Sequence, residues 1–232
     1  MPRLKRLACT VSVLAVVLLA VAACSQVRDT RVEADSIVDA ARWTVETLKT
    51  QDDDMAKLFR ANLAGAKGVA IFPTVTKGAL IIGAQGGTGV VLVRGNDGAW
   101  SYPAFYNLAS GSFGLQAGVQ SAEIALLLRS NRAVRAVIHN QSKFGGGLQF
   151  ALGEIGGGLQ AATTTALGAD IIGFSNASGL FGGMSLDGAG IIRRNDLNQA
   201  YYGRSVAPET ILLRRAVSNP QADGLRQTLA GG

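Results

Sequence analysis

The chain has 232 residues, 48% hydrophobic and 16% charged, a balance that supplies a real core and excludes an intrinsically disordered protein. Its net charge of +6 is uneven: residues 1–23 carry three basic side chains and no acid, residues 24–55 sum to −4, and residues from 56 onward sum to +7. A basic body suits an anionic partner such as lipid headgroups, nucleic acid or an acidic polymer, or it is a solubilising surface.

Residues 1–24 read MPRLKRLACTVSVLAVVLLAVAAC. A positive start is followed by an uncharged run from Leu7 to Ala23, ending in Val-Ala-Ala directly before Cys24. This is the lipobox pattern, in which the peptide is cut before the cysteine and the thiol is acylated. The predicted organisation is a cleaved lipoprotein signal over 1–23 and one domain over 24–232. The 17-residue run is at the short limit for an uncleaved membrane span. Cys9 lies in the removed segment, so a mature chain has Cys24 as its one cysteine, with no disulfide, thiolate metal site or cysteine nucleophile. Ser25 is not the aspartate that marks inner-membrane retention, which favours an outer-membrane location facing the periplasm.

A helical part follows over about 30–64. Val38, Ala41, Val45 and Leu48 recur at spacings of three and four, with Val32 and Ile37 extending the apolar side. A second helix is predicted from Asp53 to Leu63, on Met55, Leu58, Phe59 and Leu63.

The first glycine is Gly65, and there the chain changes to a β-rich body over about 65–216. VAIF (69–72), ALII (79–82) and VVLV (90–93) read as short strands. RGNDG (94–98) signals a turn, so 90–106 reads as a hairpin with Pro103 at an edge or bend. EIALLL (123–128) is ambiguous by periodicity, and its shortness favours a strand. Ser130 or Asn131 caps a short helix to about His139. GGGLQ occurs at 145–149 and again at 156–160, either as two related turns or by chance in Gly-rich text.

LQFAL (148–152), DIIGF (170–174) and Ile191–Ile192 supply further strands. In SGLFGGMSLDGAG (178–190), Leu180, Phe181, Met184 and Leu186 sit among five glycines and read as tightly turned β-structure. NQAYYG (198–203) and PETILLRRA (208–216) read as short closing helices. The fold class is therefore α+β: a compact Gly-rich, mostly antiparallel curled sheet or barrel-like body, with N-terminal helices and short closing helices segregated to its ends.

Catalytic patterns do not emerge. There is no GxSxG, and the one histidine, His139, ends a short helix. Asp52–Asp54 point in different directions on a helix start. GAQGGTG (83–89) lacks the Lys-Ser/Thr of a phosphate loop and precedes an apolar strand. Glu123, Glu154, Asp170 and Asp187 are scattered, which leaves only a remote hydrolase reading. No metal or cofactor is implied, and nucleic-acid motifs are absent. The positive signal is basic: Lys67, Lys77, Arg94, Lys143, Arg193 and Arg194 fall at predicted strand ends or turns, with Arg214 and Arg215 on the last helix. Whether they share a face is a question for the tertiary structure.

AKGVAIFP (66–73), GTGVVLVR with NDGAWSYPAF (87–105), FGGGLQFALG (144–153), SGLFGGMSLDGAGI (178–191) and NQAYYGR (198–204) together resemble the SYLF-domain family. That family includes eukaryotic proteins that bind phosphoinositides and regulate actin at membranes, and bacterial secreted or lipoprotein forms. The resemblance implies a non-enzymatic, headgroup-binding domain. The chain departs from it at GEIGGG (153–158), which lacks a Pro and an Arg that many relatives carry, and at Asn176-Ala177-Ser178, where relatives often carry basic residues. The expectation is an acylated envelope lipoprotein binding anionic phospholipid through the basic residues. The alternative is a structural or protein-interaction module for which lipid is only the anchor.

Overall fold

The computed structural model of the chain describes residues 29–50, 54–79, 82–113, 118–139, 150–153, 169–178 and 189–231. The signal-like segment, Cys24, Lys143, both GGGLQ copies and most of SGLFGGMSLDGAG lie outside the described residues.

Helix α1 covers 29–50 and α2 is Asp54–Gly65. The three-and-four spacing works as predicted: Val38, Ala41, Val45 and Leu48, with Ala34, form the buried stripe of α1. Val32 does not extend it, being 61% exposed, while Ile37 packs at its margin. In α2 the core contacts are Phe59 and Leu63, flanked by Met55 and Leu58.

Seven strands follow in one sheet: β1 (Gly68–Ala79), β2 (Ile82–Val93), β3 (Ala104–Phe113), β4 (Gly118–Leu128), β5 (Phe150–Gly153), β6 (Ile171–Ser178) and β7 (Gly190–Arg193). Their order is β5-β6-β4-β1-β2-β3-β7. All pairs are antiparallel except β5 with β6. Among the described residues the sheet ends in two four-residue edge strands and does not close into a barrel.

The run VAIF is uninterrupted because β1 is central and buried on both sides. Val69 and Ile71 join one core, and Ala70 and Phe72 join the other. The same split sends Val90 and Leu92 one way and Val91 and Val93 the other, and separates Leu127 from Ile124, Leu126 and Leu128. On the first face lie α1, α2, α4 (Asn195–Tyr202) and α6 (Asp223–Ala230). On the second lie α3 (Asn131–Ile138) and α5 (Pro208–Leu212). The helices thus cover both faces of the sheet and are not segregated to its ends. None of the described helices is long and apolar enough to cross a membrane.

Three local readings change. ALII is not a strand of its own: Ala79 ends β1 and Ile82 begins β2, so the run straddles their hairpin. The helix starting at Pro208 stops at Leu212, because Arg215 adopts φ 53° and the Ala216 amide turns back to the Thr210 carbonyl. A further helix, α6, closes the chain beyond 216, with Leu225 and Leu229 buried one turn apart. GAQGGTG lies within β2, where β1 carries a register shift between Ile71 and Thr76. A Cβ on Gly89 would stand 2.6 Å from the Phe72 ring and 2.9 Å from the Ile71 carbonyl carbon. One on Gly87 would stand 3.0 Å from Val75 Cα. These glycines let two backbones approach at a bulge.

Candidate functional site

Among the described residues, the basic side chains singled out from sequence lie at separate places. Lys67 and Arg94 are neighbours: the Arg94 amide donates to the Lys67 carbonyl at 2.8 Å, at the end of the sheet where β1 begins and β2 ends. Lys77 lies ten residues along β1, paired with Gln85 and Gln120, roughly 30 Å away at about 3.3 Å per residue. Arg193 and Arg194 sit at the β7 edge and serve opposite faces.

Arg193 donates through Nε (3.0 Å) and Nη2 (2.6 Å) to the Ile138 carbonyl, and lies 3.7 Å from Glu209. Glu209 also meets His139 Nδ1 at 3.1 Å. This cluster ties α3 to α5 on the second face. The Tyr106 hydroxyl is buried beside it, and burial pushes its pKa up. Arg194 instead pairs with Asp196 at 2.7 Å and Glu33 at 3.6 Å, joining α4 to α1 on the first face. The Arg194 guanidinium holds the Asp196 carboxyl below its usual range. Adjacent residues at an edge alternate in direction, so both cations act as internal ties.

Beside Arg94 the fold builds a groove of about 550 Å³. Three segments distant in sequence contribute: the β2–β3 turn, the start of α3 and the end of α5. The turn forms because Asn96-Asp97-Gly98 supplies a φ of +78° at Gly98, and the Gly95 amide closes onto the Ala99 carbonyl at 2.9 Å. Ser130 caps α3 by accepting from the Ala133 amide. The α3 side chains Ala133, Val134, Val137 and Ile138 are buried, which turns Arg135 outward into the groove.

The groove sets Arg135 and the Asp97-paired Arg215 against an apolar wall on the second face, while the Arg94 side chain turns to the first face. The Arg94 guanidinium lies 4.7 Å over the Trp100 ring, and its Nη1 donates to the Ala64 carbonyl at 2.6 Å. Arg215 donates through Nη1 to both Asp97 oxygens at 2.9 and 2.8 Å, and through Nη2 to the Ala99 carbonyl. The Asp97 carboxyl is held below its usual range, mainly by that hydrogen bond. A side chain on Gly95 would collide with the Arg215 guanidinium, so the glycine is part of the seat. Val93, Val134, Leu212 and Leu213 form the wall. Sequence reading identified Arg94 here and placed Arg215 on a helix, but missed Arg135. The amphipathic spacing of Arg132 and Arg135 against the α3 apolar positions was the available signal. Among the described residues no three His, Cys, Asp or Glu side chains gather as a metal site.

The model of the Ysc84 family, described as "Las17-binding protein actin regulator", matches residues 109–231. The chain belongs to the Ysc84 (SYLF) family. It is 32% identical over 168 residues to the SH3 domain-containing YSC84-like protein 1 of Bos taurus, covering 72% of this chain and 49% of that protein. The human protein of that name is 31% identical over 168 residues, with the same coverage. Protein YSC84 of Saccharomyces cerevisiae is 32% identical over 170 residues, 72% of this chain and 36% of the yeast protein. The chain therefore spans about half or less of these relatives. Within this Ysc84 domain the matched span begins in β3 and runs through α6. It includes Arg135 and Arg215, while Arg94 and Lys67 precede it.

Proposed function

We propose that this Ysc84 domain is an acylated cell-envelope lipoprotein that binds anionic phospholipid without catalysis. Family membership supports a binding domain in place of an enzyme. The lipobox ending at Cys24 supports a membrane anchor, and its context favours the outer membrane facing the periplasm. The observation that carries the reading is the gathering of Lys67, Arg94, Arg135 and Arg215 at one end of the sheet. Each cation near an anionic surface contributes about 1 kcal/mol, so several on one side orient a tethered domain. Lys77 lies outside that cluster, Lys143 lies outside the described residues, and both stand as separate proposals for headgroup contact.

Two measurements test it. Metabolic labelling with an alkyne fatty acid should mark the chain and lose the mark in Cys24→Ser. Lipid recovered with the chain from solubilised envelopes should be enriched in anionic phospholipid over the bulk membrane, and bulk composition would count against headgroup binding. A second reading, a protein-interaction module, is favoured by Trp43 (64% exposed) and Val32 (61% exposed), which lie three turns apart on the outer side of α1. Photocrosslinking from position 43 in intact cells would separate the two: a stoichiometric protein adduct supports the second, and lipid adducts the first.

A further inference from the structure

We propose that the cleft between α1 and the bulge of β1 is a saccharide site, holding one N-acetylated ring of a neutral glycan while the exposed Trp43 ring stacks on the next. The inference is independent of headgroup binding, and it gives the outer side of α1 a carbohydrate ligand in place of a protein partner.

The bulge builds the cleft. Pro73 and Thr74 pair with neither β2 nor β4, because β1 shifts register there against both neighbours. Pro73 has no amide to give to a ladder. A side chain on Gly87 would collide with the Thr74 carbonyl, so the glycine lets β2 close up behind the bulge. In front of it opens a cleft of about 280 Å³, walled by Thr74, by Thr88 of β2 and by Glu33 and Ser36 of α1. That lies near the lower end of the range of about 300–1,000 Å³ typical of small-molecule sites, the scale of a single sugar ring.

The polar groups select the ligand class. The Thr88 hydroxyl donates to Asn107 Oδ1 at 2.9 Å, and Arg194 Nη1 lies 3.4 Å from its oxygen, so its direction is fixed. Ser36 donates to the Glu33 carbonyl at 2.8 Å and keeps lone pairs to accept with. Glu33 faces Arg194 at 3.6 Å, so its charge is matched within the protein. An anionic ligand would meet the Glu33 carboxylate, and a cationic one would compete with Arg194 for it. A neutral ligand with hydroxyl and amide donors satisfies the oxygens of Glu33, Ser36 and Thr74 without either conflict. Ile37, Ala40 and Pro73 add an apolar floor for an acetyl methyl group.

Trp43 supplies the second contact. It stands one helical turn beyond Ala40, a spacing that sets side chains about 5–6 Å apart, so its ring borders the cleft. Arg42 lies 5.9 Å from the ring centroid, yet the residue remains 64% exposed. An indole offers an apolar face to the C–H face of a sugar and an N–H to its hydroxyls.

The test uses the full chain in phosphatidylcholine nanodiscs, with empty nanodiscs subtracted. Titration calorimetry and tryptophan emission follow triacetylchitotriose, cellotriose, which carries hydroxyls in place of the acetamido groups, and monomeric N-acetylglucosamine. The chain has two tryptophans and Trp100 is only 2% exposed, so an emission shift reports Trp43. Saturable binding of chitotriose near one per chain is expected, with a blue shift. Cellotriose and the monomer should each bind roughly tenfold more weakly, the first for want of the acetyl contact and the second for want of the stacked ring. Trp43→Ala should weaken chitotriose by roughly tenfold, and Thr74→Val by roughly fivefold. Circular-dichroism melting confirms that both surface variants remain folded.

Absence of saturable chitotriose binding by the wild-type chain would overturn the site. Affinity unchanged in both variants would overturn its location. Equal affinity for the monomer would assign a free sugar and overturn the Trp43 platform, and equal affinity for cellotriose would overturn the acetyl contact. The envelope lipid analysis judges headgroup binding separately from all four.

Discussion

Replacing Gly89 with alanine tests whether the glycines of GAQGGTG serve strand packing. The new methyl group would lie 2.6 Å from the Phe72 ring and 2.9 Å from the Ile71 carbonyl carbon, where ordinary contact needs 3.4 Å or more. The Phe72 ring is fully buried, so it has nowhere to turn. Relief requires β1 and β2 to separate beside the bulge, weakening ladder hydrogen bonds of about 1 kcal/mol each and adding about 1–3 kcal/mol of overpacking. The expected loss is about 3 kcal/mol. With a urea m-value of about 2–3 kcal/mol/M, the midpoint should fall by roughly 1 M. Gly86→Ala is the internal control: its Cβ would meet only the Leu108 carbonyl oxygen, at 3.3 Å, and its effect should stay within about 1 kcal/mol. Urea denaturation followed by far-UV circular dichroism reads both variants. A Gly89→Ala midpoint equal to the wild type would refute the packing argument for this motif.

Further outcomes follow from the ties between layers. Arg193→Ala removes two donors from the Ile138 carbonyl and leaves Glu209 with His139 alone, and should lower stability by about 1–3 kcal/mol in urea melts. Phe174→Ala removes a fully packed ring that meets Phe59 edge-on at 5.1 Å, and should cost about 3–5 kcal/mol by the same assay. Asp97 and Asp196 both have carboxyls lowered from 3.8 by their arginine partners. Their contribution is fully present above that value and is lost as pH falls through the lower folded value. An acid titration should therefore show loosening below about pH 4, and Asp196→Asn should flatten its part of the curve. Thermal melts across pH 2–6 provide the check.

The sequence by itself determined what depends on near neighbours. The three-and-four spacing in α1 and α2, the Ser130 cap of α3, the NDG turn after β2 and the glycine after α4 all act within a few residues, and each appears where the text places it. Family membership was legible for a related reason: GLF, SLDG and YYG preserve local text. The tertiary structure alone decided which side each strand residue faces and what covers it. Continuous runs such as VAIF carry no alternation, so the two-faced burial of β1 and the helices on both faces were silent in sequence. The Leu225–Leu229 pair of α6 was readable but short.

The candidate site shows the same division most clearly. Arg193 and Arg194 look like one basic dipeptide, yet a strand edge sends them to opposite faces, where acids from α5 and α1 hold them. Asp97, Arg135 and Arg215 look unrelated, separated by some forty and eighty residues, yet β-pairing and helix docking bring them to one groove. Charge is written in the sequence, but a binding site needs convergence of direction, and direction comes from long-range pairing and layer packing that no local pattern encodes.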